Sequence, residues 1–163
     1  MKNANTAGFT LVELMVAVVI TAILLGVGIP SYTSLIEGNS VVTAANGFAG
    51  AMSNARSEAI KRGVSIDLVA TDGSTAANEF GPGWFIALNS NNATVIRRYP
   101  ALATGITLNE PSGLTTYTFN SRGYLDDTSD AATLDLCHTS GDHDHQITVS
   151  ASGGVSIASG VGC

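Results

Sequence analysis

Positive charge is scarce in this sequence, and its C-terminal part has none. The 163 residues include seven Lys or Arg against 13 Asp or Glu, for a formal net charge of −6. No Lys or Arg follows Arg122. Surfaces that bind nucleic acids or anionic membranes draw much of their affinity from clustered cations. The composition therefore argues against nucleic acid as a partner.

Local signatures of catalysis are missing as well. The sequence has no Gly-x-Ser-x-Gly elbow, no phosphate-binding P-loop and no His-Glu-x-x-His motif. These are patterns that mark hydrolases, nucleotide-binding enzymes and metalloproteases. We expect no enzymatic activity and no cofactor.

One long apolar run stands near the N-terminus. Residues 9–29 contain a single charged side chain, Glu13. About 20 apolar residues suffice to cross the hydrocarbon core of a bilayer as a helix. A charge inside such a helix costs about 2.5–3.5 kcal/mol on insertion scales, so it normally marks a functional site with a partner. The run predicts a transmembrane helix in which Glu13 needs a cation at the same depth.

The segment before this run is short and polar, carries one cation, Lys2, and ends in Gly8. Secretory signals place the small residue of the cleavage site after the apolar stretch. Here it comes before, so cleavage after Gly8 would leave the apolar helix on the mature protein. The new α-amino group at Phe9 would lie four residues from Glu13 and could pair with the Glu13 of a neighbouring subunit. Lys2 favours a cytoplasmic start, which places the rest of the chain outside the inner membrane.

The stretch Gly8-Phe9-Thr10-Leu11-Val12-Glu13 resembles the class III signal sequence of type IV pilins and of the pseudopilins of type II secretion. The resemblance implies that residues 1–8 are a prepilin leader peptide, which prepilin peptidase removes between Gly8 and Phe9. It also implies N-methylation of Phe9 and a role for Glu13 as the charge that guides subunit docking. The alternative is an uncleaved single-span anchor with a stray Glu13.

Helical spacing continues beyond the apolar run. Pro30 predicts a kink rather than a stop. Apolar residues then recur at i, i+3, i+4 and i+7 between Val41 and Ile60, and Gly63 suits a helix C-cap. We predict a transmembrane or filament-core helix over 9–29 and an amphipathic helix over 30–62 that continues it into a globular domain.

Residues 63–163 have the pattern of a β-rich periplasmic domain. Short runs of alternating or β-branched residues are separated by Gly, Pro and Asn. The predicted strands are 64–70, 84–88, 95–99, 106–108, 115–119, 134–136, 146–150 and 155–157. Helices do not alternate with these strands, so the fold class is α+β, with the long helix packed on a mainly antiparallel sheet. The resemblance implies that this is the pilin fold.

Three further stretches, 55–63, 83–86 and 119–123, resemble the GspH/FimT/FimU branch of pilin-like proteins. This resemblance implies a minor type IV pilin that helps to initiate or cap the pilus, with other major and minor pilin subunits as partners. The alternative is a GspH-like minor pseudopilin of the type II secretion system. The implied location is the inner membrane, as a single-pass protein with a periplasmic C-terminal domain, and then the filament at the cell surface.

A DNA-binding competence pilin is a third interpretation. Some FimT-type pilins bind DNA through a basic Gly-Arg-x-Arg segment near the C-terminus. The matching stretch here is Gly154-Val155-Ser156-Ile157, which has no cation. This departure weakens the DNA-binding interpretation, because phosphate contacts need cations.

The exported part contains Cys137 and Cys163, the two cysteines of the chain. An even pair in an oxidising compartment predicts a disulfide bond, and two unpaired buried thiols are the alternative. His138, His143 and His145 are weak candidates for metal ligands. A solvated polar hairpin explains them better, so we predict no metal site. The Asp-rich residues 126–130 lack the Gly and terminal Glu of an EF-hand and are predicted to form a solvated turn.

Overall fold

A computed structural model describes residues 8–74, 77–89, 94–141 and 143–160, apart from the side chain of Pro30. Within these ranges, one long helix, α1, is followed by eight strands, and a short 3-10 helix, Thr128–Asp130, precedes the sixth. The bounds are α1 Leu11–Arg62, β1 Ile66–Ala70, β2 Trp84–Leu88, β3 Val95–Tyr99, β4 Ile106–Asn109, β5 Thr116–Phe119, β6 Ala132–His138, β7 Asp144–Val149 and β8 Val155–Ser159. The chain divides into two compact units, Met1–Ile36 and Glu37–Cys163.

The ends of α1 follow from local hydrogen bonding. The helix begins at Leu11, two residues after the start of the apolar run, because Thr10 caps it. It continues through Pro30 rather than stopping there, and the kink at Pro30 stays a prediction. Gly63 adopts φ +67° and donates its N–H to the carbonyl of Ala59 at 2.9 Å. A left-handed residue at this position satisfies a carbonyl that the helix leaves free, and glycine adopts it without steric cost.

The part of α1 in the second unit buries one apolar stripe, which confirms the predicted amphipathic helix. Its fully buried members include Val41, Phe48, Met52, Ala55 and Ala59. Two residues predicted for the stripe, Val42 and Ile60, are instead exposed. They lie next to the stripe, since 3.6 residues per turn leaves neighbouring positions on its border.

The strands form two antiparallel sheets of four strands each. Sheet A has the order β3-β2-β1-β5, and sheet B has the order β4-β6-β7-β8. The α+β class, the antiparallel pairing and the hairpin of β2 and β3 are confirmed. The division into two sheets was not predicted, because strand partners are chosen by long-range side-chain contacts rather than by local sequence.

One hydrophobic cluster joins the helix stripe to both sheets. At its centre the Phe48 ring meets Phe80 at 5.1 Å and Trp84 at 5.2 Å, both edge to face. Phe80 stacks on Tyr117 at 5.9 Å. Such aromatic pairs contribute about 0.5–1.5 kcal/mol each beyond the area that they bury. The core of the second unit is therefore organised around Phe48.

Candidate functional site

The N-terminal motif of the chain forms a capping box. Gly8 and Phe9 precede the helix, and Phe9 is 88% exposed. The Thr10 hydroxyl accepts the Glu13 N–H at 3.2 Å. In return, Oε2 of Glu13 accepts the Thr10 N–H and the Thr10 hydroxyl, both at 2.9 Å. This reciprocal pattern satisfies two donors that a helix start leaves unpaired.

The capping box leaves part of the Glu13 carboxylate available. Both bonds from Thr10 use Oε2, and Oε1 accepts no hydrogen bond from the residues that the structure describes. An ionised carboxylate offers about four acceptor positions. Glu13 can therefore cap its own helix and bind a cation from elsewhere at the same time. Sequence reasoning recognised the charge but missed the cap, although the Thr-x-x-Glu pattern was visible.

The helix surface that follows Glu13 is apolar and uncovered. Between residues 9 and 35 every large hydrophobic side chain that the structure describes is more than half exposed. By length and composition α1 could cross a membrane. One side of it carries a shallow groove of small and branched residues, formed by Leu14, Ala17, Val18, Thr21, Ala22 and Leu25. Small residues of this kind let helices approach closely in lipid.

The three candidate histidines lie around one end of the β6–β7 hairpin, and each has a different environment. Nδ1 of His138 lies 2.8 Å from the Ser140 hydroxyl and accepts the Ser140 N–H at 3.2 Å. The His143 ring lies against Gly38 of α1, and Nδ1 of His145 is buried. In the described part of the chain no three His, Cys, Asp or Glu side chains come together as a metal site would require.

Cys137 lies on β6, whereas Cys163 lies outside the described residues. The end of the described chain approaches Cys137 through the neighbouring strand. Cys137 pairs in register with Asp144, and the carbonyl of Asp144 accepts the N–H of Gly160 at 3.5 Å. Cys163 is three residues beyond Gly160, and three residues of chain can span about 10 Å, which is about the distance across two neighbouring strand pairs. The disulfide between Cys137 and Cys163 stays a prediction.

The Asp-rich segment 126–130 has a structural explanation. Asp127 caps the 3-10 helix Thr128–Asp130 by accepting the N–H and hydroxyl of Ser129 at 2.8 and 2.7 Å. These bonds lower the pKa of Asp127. Burial, followed by the repulsion of Asp127 and other nearby carboxylates, raises the pKa of Asp130. The prediction of a turn is right in outline, but it missed the helical cap.

Buried carboxylates of the domain were also missed. Asp67, Glu79 and Glu110 are each at most 5% exposed. Glu79 accepts the N–H of Glu110 at 2.9 Å, and Glu110 accepts the N–H of Leu114 at 2.6 Å. Asp67 accepts bonds from Thr118 and from the loop after β2. Through these hydrogen bonds the three acids tie loops to the sheets.

The turn at residues 119–123 joins three elements. A side chain at Gly123 (φ +81°) would place its Cβ 2.7 Å from Cδ1 of Ile60 and 3.1 Å from Nε of Arg56. Arg56 in turn donates to the carbonyl of Gly153 at 3.4 Å. This glycine lets the turn after β5 approach the end of α1 closely. The contact gives a physical reason for the two separate stretches, 55–63 and 119–123, that carry the family resemblance.

A model for the family described as type II transport protein GspH matches residues 44–153. The chain belongs to the GspH family. A second model, the prokaryotic N-terminal methylation motif, matches residues 3–29, which include Gly8, Phe9 and Glu13. The GspH match begins within the buried stripe of α1 and ends at the turn that contains Gly153. It therefore includes the contact among Arg56, Ile60, Gly123 and Gly153, which we call the Gly123 junction.

Two solved structures share the fold of this GspH family member. The type IV minor pilin FimU of Pseudomonas aeruginosa aligns with a TM-score of 0.64 and 23% identity, over 77% of this chain and 96% of that chain. The minor pseudopilin EpsH of the Vibrio cholerae type 2 secretion system aligns with a TM-score of 0.53 and 13% identity, over 74% and 97%. No curated protein matches the chain in sequence.

The stretch that matches the DNA-binding segment of FimT-type pilins has no cation, and the arginine pair of the domain lies on another strand. Gly154 to Ile157 enter and form β8, which carries no charge. The pair Arg97 and Arg98 lies on the edge strand β3, where the guanidinium groups stack over Tyr99 and Phe85 at 5.2 and 5.0 Å. Such cation–π contacts hold the two arginines against rings of their own sheet.

Proposed function

We propose that this chain is a minor type IV pilin, a non-enzymatic structural subunit that helps to initiate or cap the pilus. The observation that carries the proposal is the N-terminal unit. It presents an uncovered apolar helix with a carboxylate at its start, in a segment that matches the N-terminal methylation motif. A surface of this kind requires lipid before assembly and other helices after it. Its partners are then other major and minor pilin subunits.

Processing follows from the same segment. Prepilin peptidase would remove residues 1–8, leave Phe9 as the first residue and allow its N-methylation. The mature chain would remain in the inner membrane through α1, with the β-rich unit in the periplasm, until it enters a filament. The test is mass spectrometry of the protein extracted from membranes. The expected mass lacks residues 1–8 and carries one methyl group on Phe9, and a chain that retains the leader in cells with active peptidase would contradict the proposal.

Glu13 is proposed as the assembly charge. Its other oxygen, Oε1, can accept a hydrogen bond from the Phe9 amine of a neighbouring subunit, while Oε2 continues to accept the two hydrogen bonds from Thr10. A charged pair in lipid removes the cost of inserting an isolated carboxylate. The cap and the charge are separable, because glutamine can replace glutamate in a capping box.

The variants Glu13→Gln and Glu13→Ala separate the two roles. Glu13→Gln keeps a capping acceptor and loses the charge, and Glu13→Ala loses both. If the charge guides docking, both variants are absent from sheared filaments, although both are present in the membrane. If Glu13→Gln assembles normally and only Glu13→Ala fails, the cap is sufficient and the proposed pairing with Phe9 is wrong. Membrane levels of each variant serve as the control for stability.

A minor pseudopilin of type II secretion is the second candidate. It is supported by the description of the matching family model and by the fold shared with EpsH. The higher similarity to FimU is the reason for preferring a pilus. Deletion of the gene separates the two. If the chain is a pilus subunit, the deletion is expected to reduce surface filaments and to leave the secretion of exported enzymes unchanged. If it is a pseudopilin, the deletion is expected to reduce secretion and to leave surface filaments unchanged.

A further inference from the structure

Among the residues that the structure describes, two of the four outer edges of the two sheets have no backbone partner. In sheet A, the edge of β5 is covered because Asp126 donates its N–H to the Thr118 carbonyl at 2.8 Å. In sheet B, the edge of β4 is covered because Leu108 donates its N–H to the Asn78 side chain at 2.9 Å. The remaining edges belong to β3 and β8. In the ranges that the structure describes, no other segment hydrogen-bonds to the outer backbone of either strand.

The backbone of β8 presents its outward groups in a known register. The N–H of Ser150 bonds to the carbonyl of Gly154, and the N–H of Gly160 bonds to the carbonyl of Asp144. Hydrogen-bonded and non-hydrogen-bonded pairs alternate along antiparallel strands. Odd-numbered residues of β8, with Ile157 at the centre, therefore direct their N–H and carbonyl groups away from β7.

The edge of β8 is uncharged and, within the ranges that the structure describes, uncovered. The strand contains no charged residue and no proline, and the Ile157 side chain is 37% exposed. Natural edge strands are usually protected by lysine, proline, bulges or covering loops. An open and uncharged edge is a template on which another chain can add a strand.

Charge complementarity identifies the occupant. The four strands of sheet B carry two acidic residues, Asp135 and Asp144, and no Lys or Arg. The other open edge, β3, carries the exposed arginines Arg97 and Arg98. One chain thus has an acidic sheet with an open edge and a basic strand with an open edge. Opposite charges on such surfaces favour one orientation and suppress pairing of like with like.

We propose that the open edge of β8 binds strand β3 of a second copy of this chain. Antiparallel or parallel addition would satisfy the outward backbone groups around Ile157 and bring Arg97 and Arg98 towards the acidic sheet B. The contact is heterologous, so each copy keeps one edge open and the association continues as a chain rather than closing as a dimer. Two five-residue strands bury little area, so the interface is weak. This inference concerns the Glu37–Cys163 unit and does not rest on the proposed function.

The test measures self-association of residues 37–163. In the described part of the chain, the buried core residues lie between Val41 and Val149, so this unit contains its own core. Sedimentation at low salt, up to millimolar protein, is expected to show a weight-average mass that rises with concentration and falls back when salt is added. A mass that stays monomeric at all concentrations overturns the proposal.

Two variants block the two edges separately. Ile157→Pro removes an outward N–H that the β7 ladder does not use, and Arg98→Glu reverses a charge on β3. Each is expected to weaken association by about tenfold or more. Arg122→Glu, at an exposed arginine outside the strands, makes the same charge change and is expected to have no effect. Circular dichroism and thermal unfolding establish that each variant is folded. If Ile157→Pro disrupts β8, Ser159→Pro replaces it, because Ser159 is an exposed odd-numbered residue whose N–H also points away from β7.

Mixing the two blocked variants gives the sharpest outcome. Ile157→Pro retains an intact β3, and Arg98→Glu retains an intact β8. A mixture is therefore expected to form heterodimers more readily than either variant associates alone. If Ile157→Pro abolishes association while Arg98→Glu has no effect, β8 pairs with another β8 and the proposed occupant is wrong. Association that survives both Ile157→Pro and Ser159→Pro overturns the use of this edge.

Discussion

The two units of the chain differ in the exposure of their large apolar side chains. In Met1–Ile36, large apolar residues such as Leu24 (66%) and Val19 (56%) are exposed. In Glu37–Cys163, Phe48 and Met52 of the same helix are completely buried. Burying a side chain of this size contributes about 1.5–3 kcal/mol. One helix therefore serves two environments: its second part completes a core, and its first part requires lipid or other helices.

The largest expected effect comes from separating the units. Removal of residues 1–36 is expected to leave a folded, water-soluble domain, because the buried core lies between Val41 and Val149. The full chain is expected to require detergent, because its first unit exposes a continuous apolar surface. Cell fractionation and thermal unfolding of both forms measure the difference. A truncated form without a cooperative unfolding transition would show that the N-terminal unit is part of the fold.

A matched pair of substitutions on α1 measures the contrast directly. Phe48→Ala is expected to lower the free energy of unfolding of the domain by about 3–5 kcal/mol, since it removes the ring between Phe80 and Trp84. Leu24→Ala, on the same helix, is expected to leave that free energy unchanged. Urea unfolding of the full chain in detergent, followed by tryptophan fluorescence, checks both. Equal effects at the two positions would contradict the independence of the units.

Much of this contrast could be predicted from the sequence. The apolar run, the amphipathic spacing after Pro30 and the β-strands are local patterns, and each appears at or near the predicted place. The two exposed positions of the predicted stripe, Val42 and Ile60, show the limit of periodicity at the border of a helix face. Partners of strands and the capping role of Asp127 depend on the folded geometry, which local patterns do not contain.

A substitution in the Gly123 junction tests how tightly the second unit is packed, and its expected effect on stability is smaller. Gly123→Ala is expected to cost about 1–3 kcal/mol, because φ is +81° and the new Cβ meets Ile60 at 2.7 Å. Gly113 provides the control. Its φ is +75°, and nothing lies within 4 Å of the position of its Cβ.

Gly113→Ala therefore reports the backbone strain alone, and the difference between the two variants reports the close contact with α1. Denaturant midpoints of the truncated domain measure both. The double variant Gly123→Ala with Ile60→Ala is expected to recover part of the loss, because it removes the atoms that the new Cβ meets. If Gly123→Ala and Gly113→Ala are equally destabilised, the turn does not need its close approach to the helix.

The smallest expected effect concerns Asp130, where the second unit holds a charge unfavourably. Burial and then the neighbouring carboxylates, with Asp127 the largest contributor among them, raise the pKa of Asp130 in the folded state. A carboxyl whose pKa is higher in the folded than in the unfolded state binds its proton more tightly when folded. It therefore favours folding in acid, and this contribution is lost as pH rises through the folded-state pKa.

Asp130→Asn should give a small increase in Tm at neutral pH that vanishes below the pKa of an unfolded Asp, about 3.9. Thermal unfolding of the truncated domain across this range measures the increase. If the increase in Tm is the same at every pH, the Asp130 side chain affects stability through packing and not through its charge.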